Sequence, residues 1–163
     1  MTTLLHPHES QRLKALYAKG ILDSEQDPRF DAITSEAIKL LEVPISTISI
    51  IDKDREWYKS CQGLPNKEGP REIAFCSYAM LAEDVFVVED TLLDERFKNN
   101  PYVTGEPHIR FYAGMALIDA VSGLPLGVFC IKDTKPRHLS IQEMGSFMDL
   151  ASRAEALINS FKN

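Results

Sequence analysis

Aromatic and cationic side chains are the residues of this sequence best suited to binding a small molecule. Aromatic rings can form the walls of a pocket, and the planar guanidinium of arginine can bind a carboxylate or phosphate through two hydrogen bonds. We predict a ligand-binding site formed by Trp57, Phe75, Cys76, Tyr78, Arg110, Phe111 and Tyr112. This set suits a small anionic or aromatic ligand, and the sequence identifies neither that ligand nor a cofactor.

The same residues also have a structural interpretation. Three of the aromatic side chains can equally fill a hydrophobic core, namely Trp57, Phe75 and Phe111. Arg110 can pair with Asp90 or Asp94, because a buried arginine needs a carboxylate partner. For Arg110 this pairing is slightly favoured over ligand binding.

The three cysteines differ in how much chemistry they offer. Cys76 lies in a predicted short helix, whose start can lower the pKa of a thiol and make it reactive. The alternative, a buried small hydrophobic residue, is the commoner state of a lone cysteine. Cys61, at a strand end, and Cys130, in an apolar strand, carry less functional weight. An odd number of cysteines argues against a disulfide framework, so we expect reduced thiols.

Histidine offers little further chemistry. His6, His8 and His138 have no zinc-like spacing with the cysteines, so we predict no metal site. His108 is placed where a pocket rim could lie, but a lone histidine is more often a satisfied or exposed residue. We predict no catalytic residue.

The elements that position these residues begin with two helices and a hairpin. Ser10 can cap the first helix, and Gly20 can end it. The second helix spans about Pro28 to Glu42, with proline at its first position. The alternating, β-branched run from Ile45 to Asp52 and the returning run from Glu56 to Cys61 then predict two antiparallel strands.

The middle of the chain is predicted to mix short helices and a strand. Glu72 to Leu81 is predicted as a helix and Val85 to Val88 as a strand. Asp94 can cap a brief helical turn that stops before Pro101. A second hairpin is predicted from Ile109 to Asp133, because alternating apolar runs flank a segment rich in turn residues.

A long final helix follows a capping box formed by Ser140 and Glu143. Its apolar stripe consists of Met144, Phe147, Met148, Ala151, Ala154, Leu157, Ile158 and Phe161. The stripe is longer than one sheet face normally needs, so part of it can pack against a second copy and form a homodimer through the terminal helices. The equally weighted alternative is that the whole stripe covers the sheet.

Length and composition predict one domain. The 163 residues suffice to bury a core without disulfides or metals, so we expect a single domain over 1–163 with helical flanks at about 10–42 and 140–162. A net charge of −6 without a basic stripe argues against a nucleic-acid partner. No apolar run reaches the roughly 18 residues that span a bilayer. The first eight residues lack the features of a signal peptide, so we expect no membrane partner and a cytoplasmic location.

Several scattered motifs agree with one known family. They are Gly20-Ile-Leu-Asp23, Phe30-Asp31, Val43-Pro44, Asp52, Trp57, Pro70-Arg71, Phe75-Cys76, Asp94-Glu-Arg-Phe97, Asn100-Pro101, Ile109-Arg-Phe-Tyr-Ala-Gly114, Leu126-Gly127 and Cys130. Together with the order of elements, these motifs resemble the GAF domains found at the front of bacterial signalling proteins. The resemblance implies an α+β fold, in which a central antiparallel sheet carries the terminal helices on one face and a ligand pocket on the other.

The resemblance implies a sensor but no particular ligand, because function depends on the groups lining the site. GAF pockets hold cyclic nucleotides, tetrapyrroles, haem or small metabolites, and some hold nothing. Some carry a bilin on cysteine, which is a further interpretation of Cys76. The Asn-Lys-Phe-Asp-Glu signature of phosphodiesterase GAF domains is absent from the sequence. Similar domains are usually fused to a kinase or cyclase, so a complete chain ending at Asn163 is expected to signal to a separate effector.

Three functional hypotheses follow. The first is a non-enzymatic cytoplasmic sensor or regulatory module that binds a small molecule. The second is a thiol enzyme similar to the free methionine sulfoxide reductase, also a GAF protein. That enzyme's essential cysteine lies in a loop that corresponds to Asn99 to Ile109, where this sequence has none, so enzymatic activity is disfavoured. The third is a dimerisation module with an empty pocket.

Overall fold

Six antiparallel strands form the centre of the fold in a computed structural model that describes residues 3–162. The strands are β1 (Ile45–Ile51), β2 (Arg55–Gln62), β3 (Glu68–Pro70), β4 (Phe86–Val88), β5 (Phe111–Ile118) and β6 (Pro125–Asp133). Their order in the sheet is β3-β2-β1-β6-β5-β4. Both predicted hairpins are confirmed, since β1 pairs with β2 and β5 with β6.

Five α-helices accompany the sheet. They are α1 (Glu9–Lys19), α2 (Pro28–Leu40), α3 (Cys76–Leu81), α4 (Pro101–Thr104) and α5 (Ile141–Ser160). The predicted capping box is confirmed, because Ser140 accepts a hydrogen bond from the Glu143 amide while the Glu143 carboxylate accepts one from the Ser140 amide. Gly20 ends α1 in the left-handed conformation (φ 66°), as predicted. Ser10 is not the cap of α1, which begins one residue earlier.

The middle of the chain departs most from prediction. The helix predicted over 72–81 is two elements, a 3-10 helix at Arg71–Ile73 and then α3, because the backbone at Ala74 is extended. Asp94 caps a hydrogen-bonded turn that ends before Pro101, as predicted, and α4, which was not predicted, begins at Pro101. Proline fits that first helical position because it lacks the N–H that would be unsatisfied there. A second 3-10 helix lies at Thr91–Leu93, and β3 was not predicted.

The two faces of the sheet are covered differently. Helices α1, α2 and α5 pack on one face, here called the helix face, over a core that includes Leu16, Phe30, Ile48, Phe129 and Phe147. Helix α3 lies on the opposite face, here called the cleft face, with a second cluster formed by Phe75, Met80, Phe97, Tyr112 and Val128 among others. The fold is therefore α+β, and the terminal helices share one face of the sheet as predicted.

Within residues 3–162, no helix is long and apolar enough to cross a membrane. The predicted domain boundaries of 1–163 include Met1, Thr2 and Asn163, which lie outside the described residues. Those boundaries stay a prediction.

Candidate functional site

A cleft of about 470 Å³ opens on the cleft face near the edge of the sheet. Its walls come from Tyr58 of β2, the 63–68 segment, Tyr102 of α4, the 106–109 segment and Lys132 of β6. Clefts of this size commonly hold small molecules in proteins. The cleft is therefore the candidate ligand-binding site.

Strand alternation sends polar side chains towards this face. In β2, Trp57 belongs to the core of the helix face, so its neighbours Glu56 and Tyr58 point the other way. In β6, Ile131 likewise packs on the helix face and Lys132 turns to the cleft. Strands β2 and β6, which lie on either side of β1, thus bring two opposite charges to one side of the sheet.

Lys132 is the cation of the cleft, and it is only 4% exposed. Among the described residues its ammonium has no hydrogen-bond or ion-pair partner, and Nζ lies 6.0 Å from the ring centre of Phe75. Burial by itself lowers the pKa of Lys132, but the nearby acidic groups, chiefly the Cys130 thiol and the Glu56 carboxylate, outweigh burial and raise it. Lys132 therefore remains a charged donor.

Glu56 supplies the opposite charge and is 1% exposed. Its Oε2 atom is buried with no hydrogen-bond partner in the part of the chain that the structure describes. A buried carboxylate oxygen of this kind is costly unless another group donates to it. The Glu56 Oε2 atom thus lacks a hydrogen-bond donor. The Lys132 ammonium in the nearby cleft also lacks a partner.

Two tyrosines add hydroxyl groups to the cleft. Burial raises the pKa of both Tyr58 and Tyr102, so both phenols stay protonated and can donate hydrogen bonds. Gly69 of β3 faces them closely, because a Cβ atom there would lie 2.7 Å from the Tyr102 hydroxyl. The absence of a side chain at Gly69 leaves room for that hydroxyl at the edge of the cleft.

A buried network of hydroxyls and thiols lies deeper on the same face. The Tyr112 hydroxyl contacts Cys76 Sγ at 3.1 Å, and Cys76 Sγ lies 3.8 Å from Ser49 Oγ. Thr47 Oγ1 bridges Ser49 Oγ at 2.7 Å and Cys130 Sγ at 3.0 Å. The network links α3 to β1, β5 and β6.

The two buried thiols differ in acidity. Burial raises the pKa of Cys76. Burial also acts to raise that of Cys130, but the neighbouring Cys76 thiol, the charge of Lys132 and the Thr47 hydroxyl outweigh burial and lower it. Neither sulfur lines the cleft.

The seven residues predicted to bind a ligand are divided between three places, and none lines the cleft. Trp57 and Phe111 are buried on the helix face, against the terminal helices. The residues packed on the cleft face are Phe75, Cys76, Tyr78 and Tyr112. Phe75 stacks obliquely on Tyr112 at 5.3 Å, so this group belongs to the buried cluster of the cleft face and not to the wall of the cleft.

Arg110, the seventh, pairs with Asp90 at 3.0 Å outside the cleft. Asp94, the other carboxylate considered for this pairing, instead binds Arg96 at 2.7 Å. The Arg110 side chain is 30% exposed, and the pair holds the start of β5 near the end of β4. The geometry matches the structural interpretation of Arg110, while ligand binding by this residue stays a prediction.

The sequence analysis missed the residues that line the cleft. Lys132 had a signal, because a charged residue follows an apolar run in a strand that is buried throughout. Tyr58 lines the cleft, and its strand neighbour Glu56 carried a signal, since a buried charged residue is unusual in a strand with both faces covered. The sequence around Tyr102 gave no such signal, because only folding brings α4 to the sheet.

No three His, Cys, Asp or Glu side chains of the described chain lie close enough to hold a metal ion. His138 is exposed and binds Glu89, and His108 is exposed beside Glu106. The histidines thus lie outside the cleft.

Comparison with known proteins identifies the family. A family model for the GAF domain matches residues 26–158. The chain belongs to the GAF domain family. GAF domains are sensor modules of signalling proteins, and this one has their antiparallel sheet and flanking helices.

The chain is also similar to particular GAF proteins. It is 42% identical over 138 residues to a cyclic di-GMP phosphodiesterase of Pseudomonas aeruginosa, and the match covers 84% of this chain but 23% of that relative. The GAF domain of a phosphoenolpyruvate-protein phosphotransferase from Coxiella burnetii superposes with a TM-score of 0.65 at 16% identity, covering 90% of each chain.

A further structural neighbour is an enzyme. The type II free methionine-R-sulfoxide reductase from Thermoplasma acidophilum superposes with a TM-score of 0.62 at 14% identity, covering 82% of this chain and 94% of that one. At such identities both structural likenesses establish the GAF fold alone.

Proposed function

We propose that this GAF domain is a non-enzymatic sensor that binds a small molecule in the cleft and transmits binding to the terminal helices. The observation that carries the proposal is the cleft itself, which places the unpaired ammonium of Lys132 in a pocket large enough for a metabolite. A structural role alone does not account for a buried cation without a partner.

A buried ion-pair network offers a route from the cleft face to α1. Arg71, in the segment that leads into α3, is fully buried and binds Glu9 of α1 at 2.6 Å. The same guanidinium donates to the backbone carbonyls of Leu4 and Asp52 at 2.9 and 3.0 Å. A ligand that prefers one arrangement of the segment before α3 would therefore also shift the position of α1.

The thiol-enzyme hypothesis has less support. Catalysis by a cysteine needs a thiolate that reaches the substrate. Cys76 and Cys130 are fully buried, and Cys61 has a pKa raised by burial. The likeness to the sulfoxide reductase is one of fold, so it adds no support for the activity.

The dimerisation hypothesis also has limited support. Of the eight apolar residues in the stripe of α5, four are buried within this chain: Phe147, Ala151, Ala154 and Ile158. Met148 is the one exposed member. A homodimer through the terminal helices would therefore have little of the stripe left to bury, although Leu40 of α2 adds some exposed apolar surface.

The proposal includes a cytoplasmic location and an effector. All three cysteines are free, which agrees with a reducing compartment. The relative from Pseudomonas aeruginosa is named a cyclic di-GMP phosphodiesterase, so we infer that the signal reaches an enzyme of second-messenger turnover, carried by the same polypeptide or a separate one.

Native and denaturing mass spectra of the freshly purified protein test the sensor proposal. An extra mass that disappears on denaturation supports a noncovalent ligand, and amide hydrogen exchange should then show α1 and α5 more protected in the loaded protein. An extra mass retained after denaturation would indicate a covalent adduct, for which Cys76 is the candidate attachment site. The proposal is contradicted if the protein carries no ligand and a pool of metabolites from a cell extract does not change its amide hydrogen exchange. A dimer without ligand would favour the dimerisation hypothesis.

A further inference from the structure

Two cysteines outside the cleft lie together in the buried cluster of the cleft face. Cys76 is the first residue of α3, and Cys130 lies in β6. Both side chains are fully buried, and both thiols are free. Helix α3 packs directly on β5 and β6, so the fold brings one thiol onto the strand that carries the other.

A glycine marks the place where the two thiols approach each other. Gly114 of β5 is paired directly with Cys130 of β6. A Cβ atom at Gly114 would lie 2.2 Å from the Tyr112 hydroxyl, so the missing side chain leaves room for that hydroxyl above the pair. The Tyr112 hydroxyl in turn contacts Cys76 Sγ at 3.1 Å. Since side chains of directly paired residues share one face of the sheet, Cys76 and Cys130 lie beside the same hydroxyl.

Two hydroxyls of β1 connect the thiols from the other side. Thr47 is paired with Cys130 in the sheet, and Thr47 Oγ1 lies 3.0 Å from Cys130 Sγ. Ser49 Oγ lies 2.7 Å from Thr47 Oγ1 and 3.8 Å from Cys76 Sγ. Both sulfur atoms therefore belong to one small polar group within an otherwise largely apolar cluster.

The surroundings give the two sulfur atoms different acidities. For each thiol, burial acts most strongly on the pKa and the other thiol comes next, which agrees with the two being direct neighbours. The pKa of Cys76 is raised, whereas that of Cys130 is lowered because Cys76, Lys132 and Thr47 together outweigh burial. Cys130 is thus the thiol suited to attack, and Cys76 is the thiol suited to resolve the product.

We infer that Cys76 and Cys130 form an oxidation site, at which hydrogen peroxide converts the two thiols into a disulfide between α3 and β6. The Cys130 thiolate attacks one peroxide oxygen, the O–O bond breaks, and a sulfenic acid and hydroxide form. The Cys76 sulfur then attacks the sulfenic sulfur, the S–O bond breaks and the S–S bond forms. The two thiol protons leave in two water molecules, so the thiols lose the two electrons that the peroxide gains.

Burial restricts the oxidants that reach this site. Hydrogen peroxide is hardly larger than water, so a local opening of α3 admits it, whereas an organic sulfoxide is excluded. The disulfide would hold α3 on β6 two residues before Lys132, and it would also restrain the Arg71 segment that binds α1. Oxidation thus acts on elements that the sensor proposal also uses, but it requires no ligand in the cleft.

Counting of free thiols by mass spectrometry tests the inference. The reduced wild-type protein is treated with a few equivalents of hydrogen peroxide, denatured and labelled with N-ethylmaleimide. Three labels are expected before oxidation and one afterwards, on Cys61, because oxidation consumes two of the three thiols. Proteolysis should yield a peptide in which Cys76 is joined to Cys130, and dithiothreitol should restore all three labels.

Three variants assign the roles of the thiols. Cys61→Ser is the matched control, since it removes the one thiol outside the pair, and it should form the disulfide at the wild-type rate. Cys76→Ala should stop at the sulfenic acid of Cys130, which dimedone labels. Cys130→Ala should react about tenfold more slowly than wild type, because only the less acidic thiol remains. If either alanine variant fails to fold, the label count of Cys61→Ser decides.

Three results would overturn the inference. In the first, all three thiols survive a peroxide treatment that oxidises free cysteine. In the second, the disulfide that forms contains Cys61. In the third, Cys76 and Cys130 are joined only when peroxide is added in urea, so the folded chain does not bring the thiols together. All three leave the sensor function standing, because neither thiol of the pair lines the cleft.

Discussion

Both faces of the sheet bury charged side chains, but the two faces differ in whether those side chains have partners. On the helix face, Lys59 is as buried as Lys132, but its ammonium donates to Ser24 Oγ at 2.8 Å and to the Glu25 carbonyl. It also lies between the rings of Phe30 and Phe161. Lys59 is thus satisfied within the chain, while Lys132 and the Glu56 Oε2 atom on the cleft face have no such partners.

This comparison assigns different tasks to the two faces. Large apolar side chains fill the helix face, and their burial stabilises the fold. The cleft face buries hydroxyls, thiols and two unpaired charges near a cavity, an arrangement that favours binding over stability. Changes on the helix face should therefore affect mainly unfolding, and changes at the cleft should affect mainly binding.

Phe147→Ala should have the largest effect on stability. Its ring is fully buried on the helix face and contacts Phe129 with ring centres 5.1 Å apart. Removing it leaves a cavity and should lower the free energy of unfolding by about 3–5 kcal/mol. Urea unfolding followed by circular dichroism measures this change.

Met148→Ala is the matched control, since its side chain is the next one along α5 and is 43% exposed. The expected change in monomer stability is within about 0.5 kcal/mol. A loss at Met148 as large as that at Phe147, at a protein concentration where a dimer forms, would show that the outer side of α5 is buried by a second copy.

Glu9→Gln should have the next largest effect, because Glu9 connects the faces through Arg12 and Arg71. Burial alone raises the pKa of Glu9, but the two guanidinium groups outweigh it and lower that pKa from 4.5 to about 2. A lowered pKa means that the folded state holds its proton less tightly than the unfolded state. The stabilisation is therefore complete above pH 4.5 and is lost as the pH falls from about 4.5 to about 2.

Since the Glu9 side chain is 16% exposed, we expect this carboxylate to contribute about 2–3 kcal/mol at pH 7. Chemical unfolding of wild type and Glu9→Gln between pH 2.5 and 7 measures the contribution, and the two curves should converge at the acid end. Glu36→Gln, which removes a half-exposed partner of Arg153, is the control. Parallel curves for wild type and Glu9→Gln would contradict this role of Glu9.

The double variant Glu56→Gln/Lys132→Met should be more stable than wild type by about 1–3 kcal/mol, because it removes buried charges that lack partners. On the helix face, the single substitution Lys59→Met should instead destabilise the protein by about 1–3 kcal/mol, since it breaks satisfied hydrogen bonds. Thermal unfolding of both variants without added ligand compares the faces directly. Destabilisation of both variants to the same extent would remove the distinction.

The sequence predicts the fold well because the fold depends on local signals and on one periodic pattern. The cap at Ser140, the left-handed Gly20 and the alternation in β1 and β5 each follow from a few neighbouring residues. The middle segment is less predictable, because Ala74 interrupts a helical run that its composition favours. That interruption depends on tertiary packing.

The site is predicted less well for a physical reason. The analysis favoured aromatic rings and an arginine, but aromatic rings fill cores as readily as pockets, and Trp57 and Phe111 lie on the helix face. The cleft depends on which strand edge meets α4 and the 63–68 segment. Nothing local to Tyr102 indicates that it lies close to Lys132 across the cleft.

Arg110→Met should have the smallest effect and sharpens the comparison further. Arg110 is the strongest single candidate for anion binding in the sequence, but in the fold it is partly exposed and pairs with Asp90 outside the cleft. An ion pair with this exposure contributes less than about 1 kcal/mol, so stability should change by no more than that.

Ligand affinity is the decisive readout for this variant. If the cleft is the site, Arg110→Met should bind any cleft ligand as wild type does, while Lys132→Met should not. If instead Arg110→Met loses affinity and Lys132→Met keeps it, the ligand binds at Arg110, the residue that the sequence analysis predicted to bind an anionic ligand. Titrating Arg110→Met and Lys132→Met side by side therefore shows whether the ligand binds at the site predicted from the sequence or in the cleft.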